Sequence, residues 1–360
     1  MRSGKGPLVT YEGIIGHRAT LELLAGEADR PGHAYLFAGM AGVGKATVAQ
    51  HFAASLVCGS DRCTSRVLRH SHPDVTLLGP EGKTALGVEQ ARAAIAQAVL
   101  HPVEGDRKVF IFDDASLMTD AAANALLKTL EEPSASTVFI LIVDSEDDLP
   151  MTIASRCRTI RFGRVSGEEM AAALVERGID PLRAEETARI AGGSPGLALA
   201  FATQPESSEF RRLWMSIPSR VTPQPGDAFL LADEMLGAGE PLLAALREQQ
   251  EAEISQLEEG GLDAPQAIVD RHERAMQRAG SALTVSGLEM LASWYVDAVA
   301  AQHGAPLRNP DLATAELARV RPEHAVRSVE NTLDAVFQLG QNQRPRLVLA
   351  SLFTTLGSDT

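Results

Sequence analysis

The sequence predicts a doubly wound α/β domain with a phosphate-binding loop after its first strand, then a small helical domain and a larger all-α domain. Three observations carry this. Residues 39–47 read Gly-Met-Ala-Gly-Val-Gly-Lys-Ala-Thr, a G-x-x-x-x-G-K string set between a strand pattern and a helical one. Near-continuous aliphatic and aromatic runs, AYLFAG at 34–39, KVFIFD at 108–113 and TVFILIVD at 137–144, suit parallel strands covered on both faces. From Ala228 onward helical periodicity is almost unbroken, over 228–259, 265–303, 310–317 and 322–356.

Taken in order, a helix follows the loop over Thr47–Val57, and DVTLLGP at 74–80 adds a further strand. Asp120–Leu130 is helical and Glu131-Glu132-Pro133 stops it, because proline disfavours helix in the residue before it. A short helix over Pro150–Ala154 follows, and strand–helix alternation across 10–163 makes a doubly wound sheet. Ser166, with Glu169 three places on, has capping-box spacing for a helix to Arg177. Leu182–Ile190 and 191–202 complete a small three-helix domain. Pro205, Pro218, Pro223 and Pro225 make 203–228 a linker with irregular helix. The domain boundaries are 1–163, 164–205 and 206–360. Glu248–Gly260 reads as a solvated acidic helix face. Over Ser328–Leu356, apolar residues recur at Val329, Leu333, Val336, Phe337, Leu347, Val348 and Leu352, and Gly340 and Pro345 split the segment into two helices. One stripe is expected to pack internally and the other against a neighbour.

Of the 360 residues, 45% are apolar and 22% charged, which excludes a disordered chain. No run of about 18 apolar residues occurs, so no membrane span is expected. The N-terminal stretch lacks an apolar core, so no secretory signal is expected. Three cysteines, an odd number in a long chain, suit a reducing, cytoplasmic compartment rather than a disulfide framework. The net charge of −14 repels a nucleic-acid backbone, so any DNA contact is local or made by partners. From Ser207 onward there are 13 Arg, no Lys and 21 Asp+Glu, a surface for protein or water rather than nucleic acid.

In the loop, Gly39, Gly42 and Gly44 let backbone N–H groups turn toward a phosphate at a helix N-terminus, and Lys45 is placed for the β- and γ-phosphates. The next residue is ordinarily Ser or Thr to hold Mg²⁺; here it is Ala46. Thr47 lies one position late, about 100° round the helix. Two readings therefore stay open, a loop that still binds ATP and a Gly-rich turn without ligand. At the end of the next apolar strand, Asp113 suits Mg²⁺ through water and Asp114 suits orienting a water nucleophile, although Asp114 is one methylene shorter than the usual glutamate. A structural alternative is a strand that simply ends in polar residues. Ser155-Arg156-Cys157 carries little by itself.

Together, GHAYLFAGMAGVGKATVAQ, HPDV, the long block from KVFIFDDASLMTDAAANALLKTLEEP to IASRCRTIRF, GGSPGLAL and the terminal QNQRPRLVLASLF resemble the AAA+ clamp-loader subunits of bacterial DNA polymerase III, in the delta-prime branch. The likeness is dense over 14–203 and weaker beyond. It implies a RecA-like AAA+ domain, a helical lid and a C-terminal helical collar. It also implies a hetero-pentamer with gamma/tau motor subunits and a delta subunit, which opens a sliding clamp and loads it on primed DNA. By that resemblance Arg156 acts in trans on the ATP of the adjacent subunit, a role that suits an always-charged, forked guanidinium. The competing reading is a structural pair with a local acid, for which Asp144, Glu146, Asp147 and Asp148 stand near in sequence.

Motor relatives carry a hydroxyl at the place of Ala46, glutamate at Asp114, an arginine at Gly196, and Thr or Asn at Asp144. The four departures resemble a stator that donates Arg156 and hydrolyses little. Relatives often hold zinc with four cysteines after the loop helix. Here only Cys58 and Cys63 remain, and His70-x-His72 is tighter than the usual zinc spacing, so no metal is expected. Cys157 reads as a small buried hydrophobe. The rivals are an active motor subunit of the same family and a small-molecule P-loop kinase, which would have no use for a collar of about 130 residues.

Overall fold

The computed structural model describes residue 11 and residues 13–80, 85–259, 266–309, 311–341 and 343–358. The N-terminal stretch, Gly260, Pro310 and Asn342, all used in the expectations above, lie outside the described residues. The chain divides into two compact units. The first comprises Met1–Glu169, Ser194–Gly196 and Gln250–Ala275; the second comprises Met170–Gly193, Leu197–Gln249 and Met276–Thr360.

The first unit opens with α1 (Arg18–Glu27), β1 (Ala34–Gly39), α2 (Lys45–Val57), α3 (Asp61–Leu68), β2 (Val75–Leu78) and α4 (Val88–Ala98). It continues with β3 (Lys108–Phe112), α5 (Asp120–Glu131), β4 (Thr137–Val143), α6 (Met151–Ala154) and β5 (Arg158–Phe162). The five strands form one all-parallel sheet in the order β2-β3-β4-β1-β5. Alternate residues feed two cores. Tyr35, Phe37, Val109, Ile111, Ile140 and Phe162 pack with Val48 and Phe52 of α2 on one face. Leu36, Phe110, Phe112, Phe139 and Leu141 pack with Ala94 of α4 and Leu126 of α5 on the other. Runs apolar at every position are what a sheet covered on both faces requires. Thr119 caps α5, its side chain accepting from the Ala122 N–H at 3.2 Å. The expected cap at Ser166 is present, accepting from the Glu169 N–H at 3.1 Å.

The remaining helices are α7 (Gly167–Glu176), α8 (Pro181–Ile190), α9 (Pro195–Phe201), α10 (Glu206–Ser216), α11 (Pro225–Gly237), α12 (Glu240–Glu259), α13 (Gln266–Gln302), α14 (Thr314–Leu317), α15 (Pro322–Gly340) and α16 (Pro345–Ser358). Three expectations are corrected. The span 203–228 contains the regular helix α10, anchored by buried Phe210, Arg211 and Trp214. The helix expected over 228–259 is two, because the chain breaks around Ala238 and at Gly239, where an added Cβ would lie 3.3 Å from Leu283. The helix expected over 310–317 is the single turn α14.

The break between α15 and α16 falls as expected, and the inner face of α15 is lined by small residues. It buries Ala325, Ser328, Thr332 and Ala335, while Val326, Leu333 and Phe337 are 50%, 55% and 65% exposed. Small residues let neighbouring helices approach closely, which turns the larger apolar side chains outward. α16 buries Val348, Leu349, Leu352, Phe353 and Leu356, and its Arg346 forks onto Asp233 of α11 at 2.6 and 2.8 Å. Among the described residues no helix is long and apolar enough to cross a membrane.

Candidate functional site

The phosphate loop lies at the C-terminal tip of β1. Gly39 has φ 156°, and a Cβ there would meet the Phe162 carbonyl oxygen at 2.2 Å, so β5 can lie against the loop only where a glycine stands. Gly42 has φ 81°, and a Cβ would come within 2.7 Å of the Ser194 hydroxyl. That hydroxyl donates to the Gly42 carbonyl at 2.9 Å. His17 Nε2 donates to the Val43 carbonyl at 2.7 Å. His17 and Ser194 thus brace the loop from two sides. Neither carried a signal in the sequence beyond its place near a glycine.

Lys45 does not point into an open phosphate site. Its ammonium, 6% exposed, donates to the carbonyls of Gly39 and Met40 and to Asp144 Oδ1, the last at 2.8 Å. Strand register explains the pairing. Ala38 of β1 stands opposite Val143 of β4, so the next residues, Gly39 and Asp144, meet at the same tip. Ala46, in the first turn of α2, packs against the core, and Thr47 is exposed.

Asp113 and Asp114 follow β3 at the same edge. Asp113 is buried and its N–H donates to the Leu78 carbonyl at 2.8 Å. Asp114 takes a left-handed conformation, φ 56°, and its Oδ2 accepts from Arg274 Nε at 3.0 Å. Arg274 Nη1 donates to the Pro80 carbonyl at 2.8 Å. The two side chains are 13% and 14% exposed, a largely enclosed ion pair. Helical periodicity places Arg274 on a helix and says nothing of this partner. Gly196, where motors carry an arginine, is exposed with no heavy atom within 4 Å of an added Cβ. A magnesium nucleotide needs a lysine turned to phosphate, a hydroxyl after it and a carboxylate at liberty to orient water. This arrangement offers none of the three, so the residues present do not fit that ligand.

Arg156 lies at the opposite end of the sheet. It follows α6 and precedes Arg158, which stands opposite Tyr35 near the start of β1. Its Nη1 donates to the Thr152 carbonyl at 2.9 Å and its Nη2 to Glu131 at 2.5 Å. The local acids named from sequence are not its hydrogen-bonding partners: Glu146 holds Arg161, and Asp148 caps the N–H of Ser145.

Cys58 and Cys63 form a disulfide, Cα to Cα 5.4 Å, which corrects the expectation of free thiols. Cys58 ends α2, Ser60 caps α3, and the tight turn between them brings the two sulfurs together. His72 places a ring nitrogen within 4.8 Å of both sulfurs. Disulfide sulfur is not thiolate, the form that binds zinc. His72 Nδ1 already accepts from the Asp74 N–H at 3.2 Å, and burial holds its imidazole below the ordinary value. In this oxidised form the set does not fit a metal. His70 adopts φ 54° and is not part of the group. Burial pushes the Cys157 thiol up to about 12, as a small hydrophobe requires.

Residues 17–166 match the family model described as DNA polymerase III, delta subunit. The chain is 37% identical over 177 residues to the DNA polymerase III subunit delta' of Pseudomonas aeruginosa, covering 45% of this chain and 53% of that one. It is 37% identical over 188 residues to the subunit delta' of Escherichia coli, covering 48% and 55%. It is 32% identical over 157 residues to the subunit tau/gamma of Haemophilus influenzae, covering 41% and 23%. The chain spans about half the length of the delta' relatives it matches. Over residues 17–166, then, the chain is similar to the DNA polymerase III delta and delta' subunits.

Proposed function

We propose that this chain is the stator of a DNA polymerase III clamp loader. It assembles in the cytoplasm with gamma/tau motor subunits and a delta subunit in a hetero-pentamer, which loads a sliding clamp on primed DNA. In this reading 1–163 is the AAA+ domain, 164–205 the lid and 206–360 the collar. Arg156 serves the nucleotide of the adjacent motor.

The observation that carries the proposal is the position of Arg156. β1 separates it from its own phosphate loop by about 15–20 Å at the rise of an extended strand. An arginine there cannot serve its own loop and faces whatever docks on that edge. Its partner Glu131 is exposed, and exposed pairs contribute about 0–1 kcal/mol, so exchanging the carboxylate for a phosphate oxygen costs little.

The test is single-turnover ATP hydrolysis at the motor site next to this subunit in the reconstituted complex. Arg156→Ala is expected to slow that site by about 10³–10⁵-fold while the complex stays assembled. An unchanged rate in an intact complex rules the role out. The likeness to tau/gamma supports a second reading, an active motor, and steady-state turnover by the isolated chain at motor rates would select it.

A further inference from the structure

We infer that Asp144 is a built-in anion of this chain's phosphate loop, occupying the charge of Lys45 that a nucleotide phosphate would otherwise take and so excluding nucleoside triphosphates from the site.

An ammonium has three N–H donors. In Lys45 all three have acceptors within the protein: two loop carbonyls and Asp144 Oδ1. A buried ammonium left without an anion is costly, so the pair is the arrangement the loop settles into when it is alone. For Lys45 to reach a β- or γ-phosphate it must release Asp144. The released carboxylate, 55% exposed, stays at the edge of the loop, because Val143 before it is locked opposite Ala38 in the sheet. It then stands beside an incoming polyphosphate of the same sign. Two like charges about 5 Å apart repel by several kT even at an effective dielectric of about 20.

Within the loop itself nothing compensates. Ala46 has no hydroxyl for a metal that would neutralise the phosphates. Asp114, the second acid of the site, is held by Arg274, so that guanidinium already has its own anion. Each of these two loop-edge charges is matched from inside the chain. What remains for a phosphate is the backbone N–H array at the start of α2, with Arg164, whose Nε lies 3.2 Å from Met40 Sδ, at the loop's edge.

The experiment uses the full chain alone and titrates ATP, with and without Mg²⁺, by calorimetry. Because no partner subunit is present, its outcome is independent of the role of Arg156. Asp144→Asn keeps an oxygen for Lys45 and removes the charge. It is expected to bind ATP at least about tenfold more tightly than the unaltered chain, and Lys45→Ala in that background is expected to abolish the gain. Mg²⁺ is expected to add little in either. A gain of less than tenfold, or one that survives Lys45→Ala, overturns the inference. So does a micromolar or tighter dissociation constant for the unaltered chain. Melting curves check folding, and if Asp144→Asn is unstable, Asp144→Ser is read in its place by the same criteria.

Discussion

One sheet carries charged groups at both of its ends and treats them in opposite ways. At the C-terminal tips of the strands, Lys45 is buried while its partner Asp144 is 55% exposed, and Asp114 is enclosed with Arg274. At the N-terminal end, Arg156 is 36% exposed and its carboxylate partner more so. Both ends contain ion pairs, so pairing alone does not separate a closed site from an open one. Burial does. A buried cation that loses its anion is left uncompensated, whereas an exposed pair exchanges with any competing anion at little cost.

The sharpest way to break this comparison is to alter one residue at each end of the sheet in the same reconstituted complex. Arg156→Ala should depress hydrolysis at the adjacent motor site by about 10³–10⁵-fold, and Lys45→Ala should leave it unchanged, measured by single-turnover kinetics. A loss with Lys45→Ala equal to that with Arg156→Ala would mean that the closed loop takes part in the reaction.

Asp74, near Arg156's end of the sheet, supplies a structural contrast. Its carboxylate accepts the N–H groups of Val103, Glu104 and Gly105 at 2.6, 2.8 and 2.8 Å. Burial works to raise its carboxyl, but those three donors hold it below the ordinary value. Its contribution to stability is therefore complete above the unfolded carboxylate range of about 4 and is lost as pH falls through the lower folded value. Asp74→Ala is expected to cost about 3 kcal/mol in denaturant unfolding at neutral pH, with less of a difference below pH 3. A motor-site rate that stays normal in the assembled variant keeps the functional role with Arg156.

A smaller effect is expected at the collar. Phe337→Asp removes one member of the exposed stripe of α15 and should weaken entry into the complex by about tenfold or more, at roughly 1.5–3 kcal/mol for a large apolar side chain buried on docking. The melting temperature of the isolated chain should not move, since Phe337 packs little within it. A falling melting temperature with unchanged assembly would return the stripe to the chain's own interior. The smallest effect belongs to Glu131→Gln. It should change the stability of the isolated chain by less than about 1 kcal/mol and the motor-site rate by only a few-fold. A collapse of the rate with Glu131→Gln would make the carboxylate part of the arginine's working geometry rather than a resting partner.

Much of the first unit was legible in the sequence because its signals are local. A strand buried on both faces needs apolar side chains at successive positions, and 34–39, 108–112 and 137–143 have them. The glycines of 39–44 and the Ser166 cap act within a few residues of themselves. The helical segments were harder. Periodicity reports that a face is apolar but not which face goes inward, and in α15 the interior took Ala325, Ser328, Thr332 and Ala335 instead of the larger residues. The disulfide depended on a turn of five residues whose geometry the count of cysteines could not convey.

By itself, then, the amino-acid order determined the sheet, the phosphate loop, the missing hydroxyl at Ala46 and the arginine at the far end of the domain. Each of these follows from side chains read against their immediate neighbours. Only the tertiary structure decided that the loop is closed. Lys45 meets Asp144 across 99 residues and Asp114 meets Arg274 across 160. Such partners are chosen by strand register and helix placement, and charge complementarity acts over a few ångströms of space, whatever the separation along the chain.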